Sequence, residues 1–175
     1  GLKQIHYLKL IGYPSIKQIG QSKIMLDYFD SSILMAILLD EKRKNEALDL
    51  WNNASIRVSS ILLKLETITV LRRTYEHNKA KLSSLWLSKK TSELNEYFQE
   101  VNIRIIDEDI EKIMLLKKEV GKCRTLDAIH ISTAIEFSKL VPQQEFKLNT
   151  FDKEMASLAK SLNMNINITS EESYF

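Results

Sequence analysis

The feature that most constrains the fold is an alternation of short strand-forming runs with longer segments of helical periodicity. Short apolar or alternating runs predict strands at residues 26–30, 56–59, 102–106, 146–149 and 165–168. Apolar positions recurring at three- and four-residue intervals predict helices at residues 33–40, 45–53, 60–77, 81–99, 108–121, 126–140 and 153–162. Strands separated by helices favour an α/β fold in which a parallel central sheet is flanked by helices on both sides. Two helices follow one another within residues 60–100, which predicts a helical hairpin there.

Residues 1–24 differ from the rest of the chain. They contain Pro14 and two of the four glycines, and they carry no sustained periodicity. We therefore expect an N-terminal extension at residues 1–24 and a single domain at residues 25–175, a length that allows a substantial core.

Composition predicts a cytoplasmic protein that does not enter a membrane. Apolar residues make up 44% of the chain and charged residues 27%, and no apolar run approaches the roughly 18 residues of a membrane span. The N-terminal "GLKQIHYLKLIGY" is interrupted by Lys3, His6 and Lys9, so it lacks the apolar core of a signal peptide. The single cysteine, Cys123, has no internal partner for a disulfide, as is usual in a reducing compartment.

Several common catalytic designs are excluded because their residues are missing. The four glycines cannot form a glycine-rich phosphate loop, and no G-x-S-x-G elbow of a serine hydrolase is present. Three isolated histidines and one cysteine do not give zinc-ligand spacing. The net charge of +2 is too small to indicate a nucleic-acid partner by itself. Carboxylates are the remaining candidates.

Four acids follow strand ends or begin helices. Asp30 ends the first predicted strand, and Glu66 lies in "SSILLKLETITVLRR", one to two turns into the helix after the second. Asp127 lies in the first turn of a helix in "RTLDAIHISTA", with Thr125 as a possible N-cap. Asp152 in "KLNTFDKE" follows the fourth strand and opens the last helix. If the strands are parallel, all four acids meet at the edge where α/β proteins bind ligands.

Each acid also has a purely structural interpretation. Asp127 and Asp152 suit the positive end of a helix dipole, an effect of about 0.3–1 kcal/mol each, and Asp30 suits a turn or cap beside Ser31 and Ser32. Glu66 is harder to explain in this way, because its neighbours in sequence are apolar and an unpaired buried carboxylate costs several kcal/mol. These neighbours are Ile61, Leu62, Leu63, Leu65, Ile68, Val70 and Leu71.

A divalent cation would explain a cluster of these acids. Two like charges about 4 Å apart repel by roughly 4 kcal/mol at an effective dielectric constant near 20. Such a group needs a neutralising cation or protonation of some of its members. Hard oxygen ligands without histidine or cysteine indicate Mg²⁺ or Mn²⁺, ions that also catalyse attack of water on phosphodiesters.

With these motifs in order, the chain resembles the PIN domain family, and in particular the VapC-type toxin ribonucleases of bacterial toxin–antitoxin pairs. The matching segments are "YFDSSILMAILL", "SSILLKLETITVLRR", "RTLDAIHISTA" and "LNTFDKEMASLAKSLNM", which together extend from Met25 to about Ile168. No counterpart is found for residues 1–24, and the spacing between the third and fourth acids, around "KLVPQQEFK", is somewhat long.

The resemblance implies a Mg²⁺- or Mn²⁺-dependent endoribonuclease with an RNA substrate, a homodimer, and a cognate VapB-like antitoxin that keeps it inactive. It implies that Asp30, Glu66 and Asp127 bind the metal and that Asp152 is a more variable fourth acid, with Thr150 similar to a polar residue often beside it. The alternative is a non-catalytic PIN-like domain whose acidic pocket receives a basic residue of a partner protein.

Other candidate residues favour structural roles. We expect His130 to pack in the core on a helix face with Leu126, Ile129, Thr133, Ala134 and Phe137. The acids of "IDEDIE" suit a solvated helix start, and Trp51, Trp86 and Tyr97 suit core packing. Arg124 and Lys153 neighbour the proposed site acids and could contact phosphates, although solvated surface positions are the default.

Overall fold

The computed structural model describes residues 25–167 and contains a four-stranded, fully parallel sheet. The strands are β1 (Leu26–Phe29), β2 (Ile56–Ser60), β3 (Val101–Arg104) and β4 (Phe146–Asn149). Their spatial order is β3-β2-β1-β4, so β1 lies in the centre between β2 and β4. In register, Leu26 pairs with Ile56 on one side and with Phe146 on the other. The predicted α/β fold with a parallel sheet is confirmed.

Seven α-helices connect or follow these strands in the described residues. They are α1 (Ser31–Leu38), α2 (Lys44–Asn52), α3 (Leu62–Asn78), α4 (Trp86–Gln99), α5 (Glu108–Leu116), α6 (Thr125–Ser138) and α7 (Lys153–Ser161). Short 3₁₀ turns at Val120–Lys122 and Gln143–Glu145 precede α6 and β4. The predicted helical hairpin is α3 followed by α4, and it is joined by stacking of Tyr75 on Trp86 at 6.4 Å. Among the described residues, no helix is both long and apolar enough to cross a membrane.

The two faces of the sheet bury separate apolar clusters, because successive side chains of a strand point to opposite faces. Leu26 and Tyr28 of β1 belong to the cluster that contains apolar residues of α5, α6 and α7. Phe29, on the opposite face, belongs to the cluster of α1, α2, α3 and α4, where its ring lies 4.9 Å from that of Trp51. Helices therefore cover both sides of the sheet, as the alternating pattern predicted.

Several predicted boundaries were wrong. The helix predicted at 81–99 begins only at Trp86, and the one predicted at 108–121 ends at Leu116 before the separate 3₁₀ turn. Of the fifth strand predicted at 165–168, the described residues form a single parallel bridge between Leu148 and Ile166. The expected extension at residues 1–24 and the end of the expected domain at 168–175 lie outside the described residues.

Candidate metal centre

All four predicted acids line one cleft at the carboxyl edge of the sheet. The cleft has a volume of about 380 Å³. Its lining residues are Asp30, Ser31, Ser32, Met35, Glu66, Arg124, Thr125, Leu126, Asp127, His130, Asp152 and Met155. The acids come from four separate elements, so the parallel sheet and its crossover helices assemble the cleft as the sequence predicted.

Asp30 is the buried end of the cleft and the N-cap of α1. It is only 3% exposed, and its Oδ1 accepts hydrogen bonds from the backbone N–H of Ser32 at 3.0 Å and from the Ser32 hydroxyl. The cap role expected for Asp30 is therefore confirmed, and Ser31 and Ser32 form the first turn of α1. Burial raises the pKa of Asp30, and attraction to His130 with the hydrogen bonds only partly offsets this effect.

Thr150 links the first and fourth acids. Its hydroxyl donates to Oδ2 of Asp30 and accepts a hydrogen bond from the backbone N–H of Asp152 at 2.9 Å. The Ser32 hydroxyl accepts from the backbone N–H of Phe151 at 2.9 Å, which also ties α1 to the loop after β4. These contacts fix the loop that carries Asp152 against the start of α1.

Glu66 is half-buried, with 22% of its side chain exposed, so the expectation of a fully buried carboxylate was wrong. It lies on the face of α3 that turns away from exposed Leu65 and toward the cleft. Its Oε1 contacts Nε2 of His130 at 2.7 Å and accepts a hydrogen bond from the Ser31 hydroxyl at 3.0 Å. Although burial acts to raise the pKa of Glu66, the interactions with His130 and Ser31 outweigh it and lower that pKa.

Asp127 lies in the first turn of α6 and forms an ion pair with Arg124. The Arg124 Nε donates to Oδ2 of Asp127 at 3.1 Å, and a second nitrogen of Arg124 lies 3.5 Å from Glu154. Arg124 is 74% exposed, whereas Asp127 is 22% exposed. Thr125 does not cap this helix as expected, because α6 already begins at Thr125 and the N-cap position, Arg124, makes no capping side-chain bond.

Asp152 is the N-cap of α7, and its Oδ1 accepts from the backbone N–H of Met155 at 2.9 Å. The fourth acid therefore has a structural role and also lines the cleft. The structural interpretation of Asp30 and Asp152 is therefore confirmed, since both are helix caps, and both also line the cleft.

The donor chemistry of the cleft suits a hard divalent cation. Within residues 25–167, no group of three or more His, Cys, Asp or Glu side chains is arranged to hold a metal ion directly. Mg²⁺, however, keeps several of its waters and is usually bound through one or two carboxylates. Glu66, Asp127 and Asp152 each accept hydrogen bonds through one oxygen, which is compatible with ligation through the other. The residues present therefore fit a partly hydrated ion.

Sequence reasoning missed the contacts of His130. The side chain is 2% exposed, as a core residue should be, but its ring bridges Glu66 and the hydroxyl of Tyr28. The proposed apolar face was wrong at Leu126, which is 46% exposed. The spacing of Asp127 and His130 was an available signal, since residues three apart in a helix share a face.

The remaining candidates behave as structural residues. Asp107 is the N-cap of α5 and accepts from the backbone N–H groups of Asp109 and Ile110, so the acids of "IDEDIE" form a helix start as expected. Trp51 is 1% exposed and packs edge-on against Tyr97 at 5.4 Å. Core packing is therefore confirmed for these aromatic residues.

Comparisons with known proteins agree with this architecture. A family model described as PIN domain matches residues 28–161, well over half of the chain. No curated protein matches this sequence. One chain of a solved structure described as "Toxin-antitoxin complex from Klebsiella pneumoniae" aligns with a TM-score of 0.51 and 18% identity, covering 74% of this chain and 90% of that chain. At this identity, the likeness shows a shared fold.

Proposed function

The chain belongs to the PIN domain family, and from that premise we propose that it is a metal-dependent endoribonuclease and the toxin of a VapBC-type toxin–antitoxin pair. The observation that carries the proposal is the convergence of four carboxylates, from separate elements, on one cleft. A likeness in fold to a chain of a toxin–antitoxin complex supports the second part. The same proposal includes a cytoplasmic location, a homodimeric assembly and an RNA substrate.

In this proposal Asp30, Glu66 and Asp127 hold a Mg²⁺ or Mn²⁺ ion, and Asp152 aids a second ion or the attacking water. An ion held by these residues would lower the pKa of its bound water and would stabilise charge on the phosphate. Asp30 is fixed by Ser32 and Thr150, so its carboxylate is oriented before any ligand arrives. A fixed ligand loses less entropy on binding than a mobile one.

Arg124 extends the proposal to the substrate. Its guanidinium lies at the edge of the cleft, beside Asp127, and is largely exposed. A guanidinium in this place can contact a phosphate of the RNA backbone, and such contacts position a strand without reading its sequence. The negative charges of the acids repel a phosphate unless a cation lies between them. In this proposal Arg124 and the ion therefore contact the same phosphate group.

A second candidate function is supported by the same ion pair. Because Asp127 already accepts a hydrogen bond from the Arg124 guanidinium, the cleft can bind a basic side chain. A non-catalytic domain would use it to receive a basic residue of a partner protein. In the toxin proposal, an antitoxin supplies an Arg or Lys near Asp30 and Asp127 and so blocks metal and RNA together.

The experiment is cleavage of a defined RNA by the purified full chain with Mg²⁺, with Mn²⁺ and with EDTA. Asp30→Asn and Glu66→Gln should abolish cleavage and relieve growth arrest on expression. Asp107→Asn is the matched control, since Asp107 caps α5 through the same kind of bond and does not line the cleft. Wild-type rates in Glu66→Gln would remove that residue from the site. A wild-type protein that cleaves no RNA with either ion would favour the partner-binding function.

A further inference from the structure

A chain of buried polar groups runs from the central strand to the cleft. The Tyr28 hydroxyl of β1 lies 2.8 Å from Nδ1 of His130 on α6, and Nε2 of His130 lies 2.7 Å from Oε1 of Glu66 on α3. Tyr28 is 0% exposed and His130 is 2% exposed. The two rings meet edge to face, with their planes at 87°. Three elements that are far apart in sequence are thus joined by one line of hydrogen bonds.

The chemistry of these groups sets the direction of each bond. An ionised carboxylate only accepts, so Nε2 of His130 donates to Glu66. When the ring is neutral, the other nitrogen, Nδ1, carries no hydrogen. It therefore accepts a hydrogen bond from the Tyr28 hydroxyl. The Tyr28 hydroxyl and the Glu66 carboxylate therefore favour the same tautomer of His130.

Both hydrogen bonds to Glu66 are made at the same oxygen. His130 of α6 and Ser31 of α1 contact Oε1, whereas Oε2 accepts no hydrogen bond from residues 25–167. The Glu66 carboxylate is thereby held between α1 and α6 through one of its oxygens. Ordering a glutamate side chain costs conformational entropy, and here folding has already ordered it.

We propose that His130 is a positioning residue for divalent-cation binding. It fixes the Glu66 carboxylate through Oε1 and leaves Oε2 as the ligand, and Tyr28 acts on the ion only by holding the His130 ring in place. This inference rests on the proposed metal-dependent function and names how that site is ordered. Loss of an outer partner of a metal ligand typically weakens metal affinity by about 10–100-fold.

The test measures the Mn²⁺ dissociation constant of the full chain by isothermal titration calorimetry. His130→Leu removes the donor, whereas the amide of His130→Gln can donate from about the position of Nε2. We expect the dissociation constant to rise about 10–100-fold in His130→Leu and to stay within about threefold of wild type in His130→Gln. His77→Leu is the matched control, because exposed His77, among the residues that the structure describes, bonds only the Arg73 carbonyl of its own helix, so its loss should not alter binding.

Tyr28→Phe tests the contribution of Tyr28 separately. It removes the hydroxyl and keeps the ring, so the dissociation constant should rise, but by less than in His130→Leu. Nitrogen-15 NMR of the imidazole should show hydrogen on Nε2 of His130 in the metal-free wild type, and the Nδ1 resonance should shift in Tyr28→Phe because that nitrogen loses its hydrogen-bond partner. This readout does not depend on cleavage activity, and it remains usable if His130→Leu fails to fold.

The outcomes separate the inference from the proposed function. If the wild type binds Mn²⁺ and His130→Leu binds it equally well, the inference is wrong and the metal site stands. If His130→Gln weakens binding as much as His130→Leu, the donor is not what matters, and the inference is again wrong. An unchanged Nδ1 resonance and an unchanged affinity in Tyr28→Phe would contradict the role of Tyr28. If the wild type binds no Mn²⁺ at millimolar concentration, the proposed function itself fails.

Discussion

Asp30 is both a helix cap and a proposed metal ligand, and a pair of substitutions separates these roles. Asp30→Ala removes the acceptor for the Ser32 backbone N–H, a cap loss of about 1 kcal/mol. It also leaves the buried Thr150 hydroxyl without its acceptor, which costs about 1–3 kcal/mol. We expect the free energy of unfolding to fall by about 2–4 kcal/mol in total. For a domain of this size, that corresponds to a melting temperature lower by about 5–15 °C.

Asp30→Asn should behave differently in the metal-free protein. Asparagine caps helices as well as aspartate does, and it keeps an oxygen for Ser32. Burial raises the pKa of Asp30 above its unfolded value, so the wild-type residue contributes stability below the unfolded pKa and loses it as pH rises through the folded pKa. Asparagine does not ionise, so Asp30→Asn does not lose stability in this way as pH rises. We expect the variant to equal or exceed the wild type at neutral pH, with a margin that grows as pH rises above the unfolded pKa of aspartate toward its raised pKa in the folded protein.

The assay is thermal unfolding by calorimetry in EDTA, repeated with Mn²⁺. At ten times its dissociation constant, an ion bound to the folded state alone adds about 1.4 kcal/mol, or roughly 3–6 °C. Wild type and Asp107→Asn should show this rise, and Asp30→Asn should show less of it. If Asp30→Asn destabilises the metal-free protein as much as Asp30→Ala, the ionised carboxylate is required by the fold. That result would refute the argument from burial.

Other substitutions give simpler expectations. Arg124→Ala should leave the free energy of unfolding nearly unchanged, because its ion pairs are exposed, and it should weaken RNA binding measured by fluorescence anisotropy. Normal RNA binding would remove Arg124 from the substrate surface. Deleting residues 1–24 should leave the RNA cleavage rate unchanged, and a folded but inactive product would place the domain boundary elsewhere. Glu66→Gln should lose less stability on acidification than wild type in calorimetric melts. The reason is that the pKa of Glu66 is lowered by folding, so the ionised side chain stabilises the protein above its unfolded pKa, and this stability is lost as pH falls. An equal loss of stability in both proteins would contradict this assignment.

The sequence predicted the fold and the placement of the four acids well, because both depend on patterns along the chain. Strand runs separated by helices dictate a parallel sheet, and a parallel sheet brings strand exits to one edge. Asp30 and Asp152 follow their strands directly, so their meeting in the cleft required only this topology. Helix ends were less predictable. α4 begins at Trp86, whose ring stacks on Tyr75 of α3, and no local pattern reveals a contact between two helices.

The partners of the acids could not be predicted in the same way. The bond between His130 and Glu66 joins residues 64 positions apart, and that between Thr150 and Asp30 joins residues 120 apart. Helical spacing predicted that His130 lies on an apolar helix face, and its predicted burial is confirmed. Whether a buried histidine meets a carboxylate depends on the crossing of α3 and α6 in three dimensions.

The central claim is that the four carboxylates form a metal centre, and anomalous scattering tests it most directly. Crystals of the full chain grown or soaked with Mn²⁺ should be measured near the manganese absorption edge, together with crystals of Glu66→Gln. The account predicts a manganese peak in the cleft between Asp30, Glu66, Asp127 and Asp152, and its loss or weakening in Glu66→Gln. A cleft without manganese at tens of millimolar, or a peak that Glu66→Gln leaves unchanged, would contradict it.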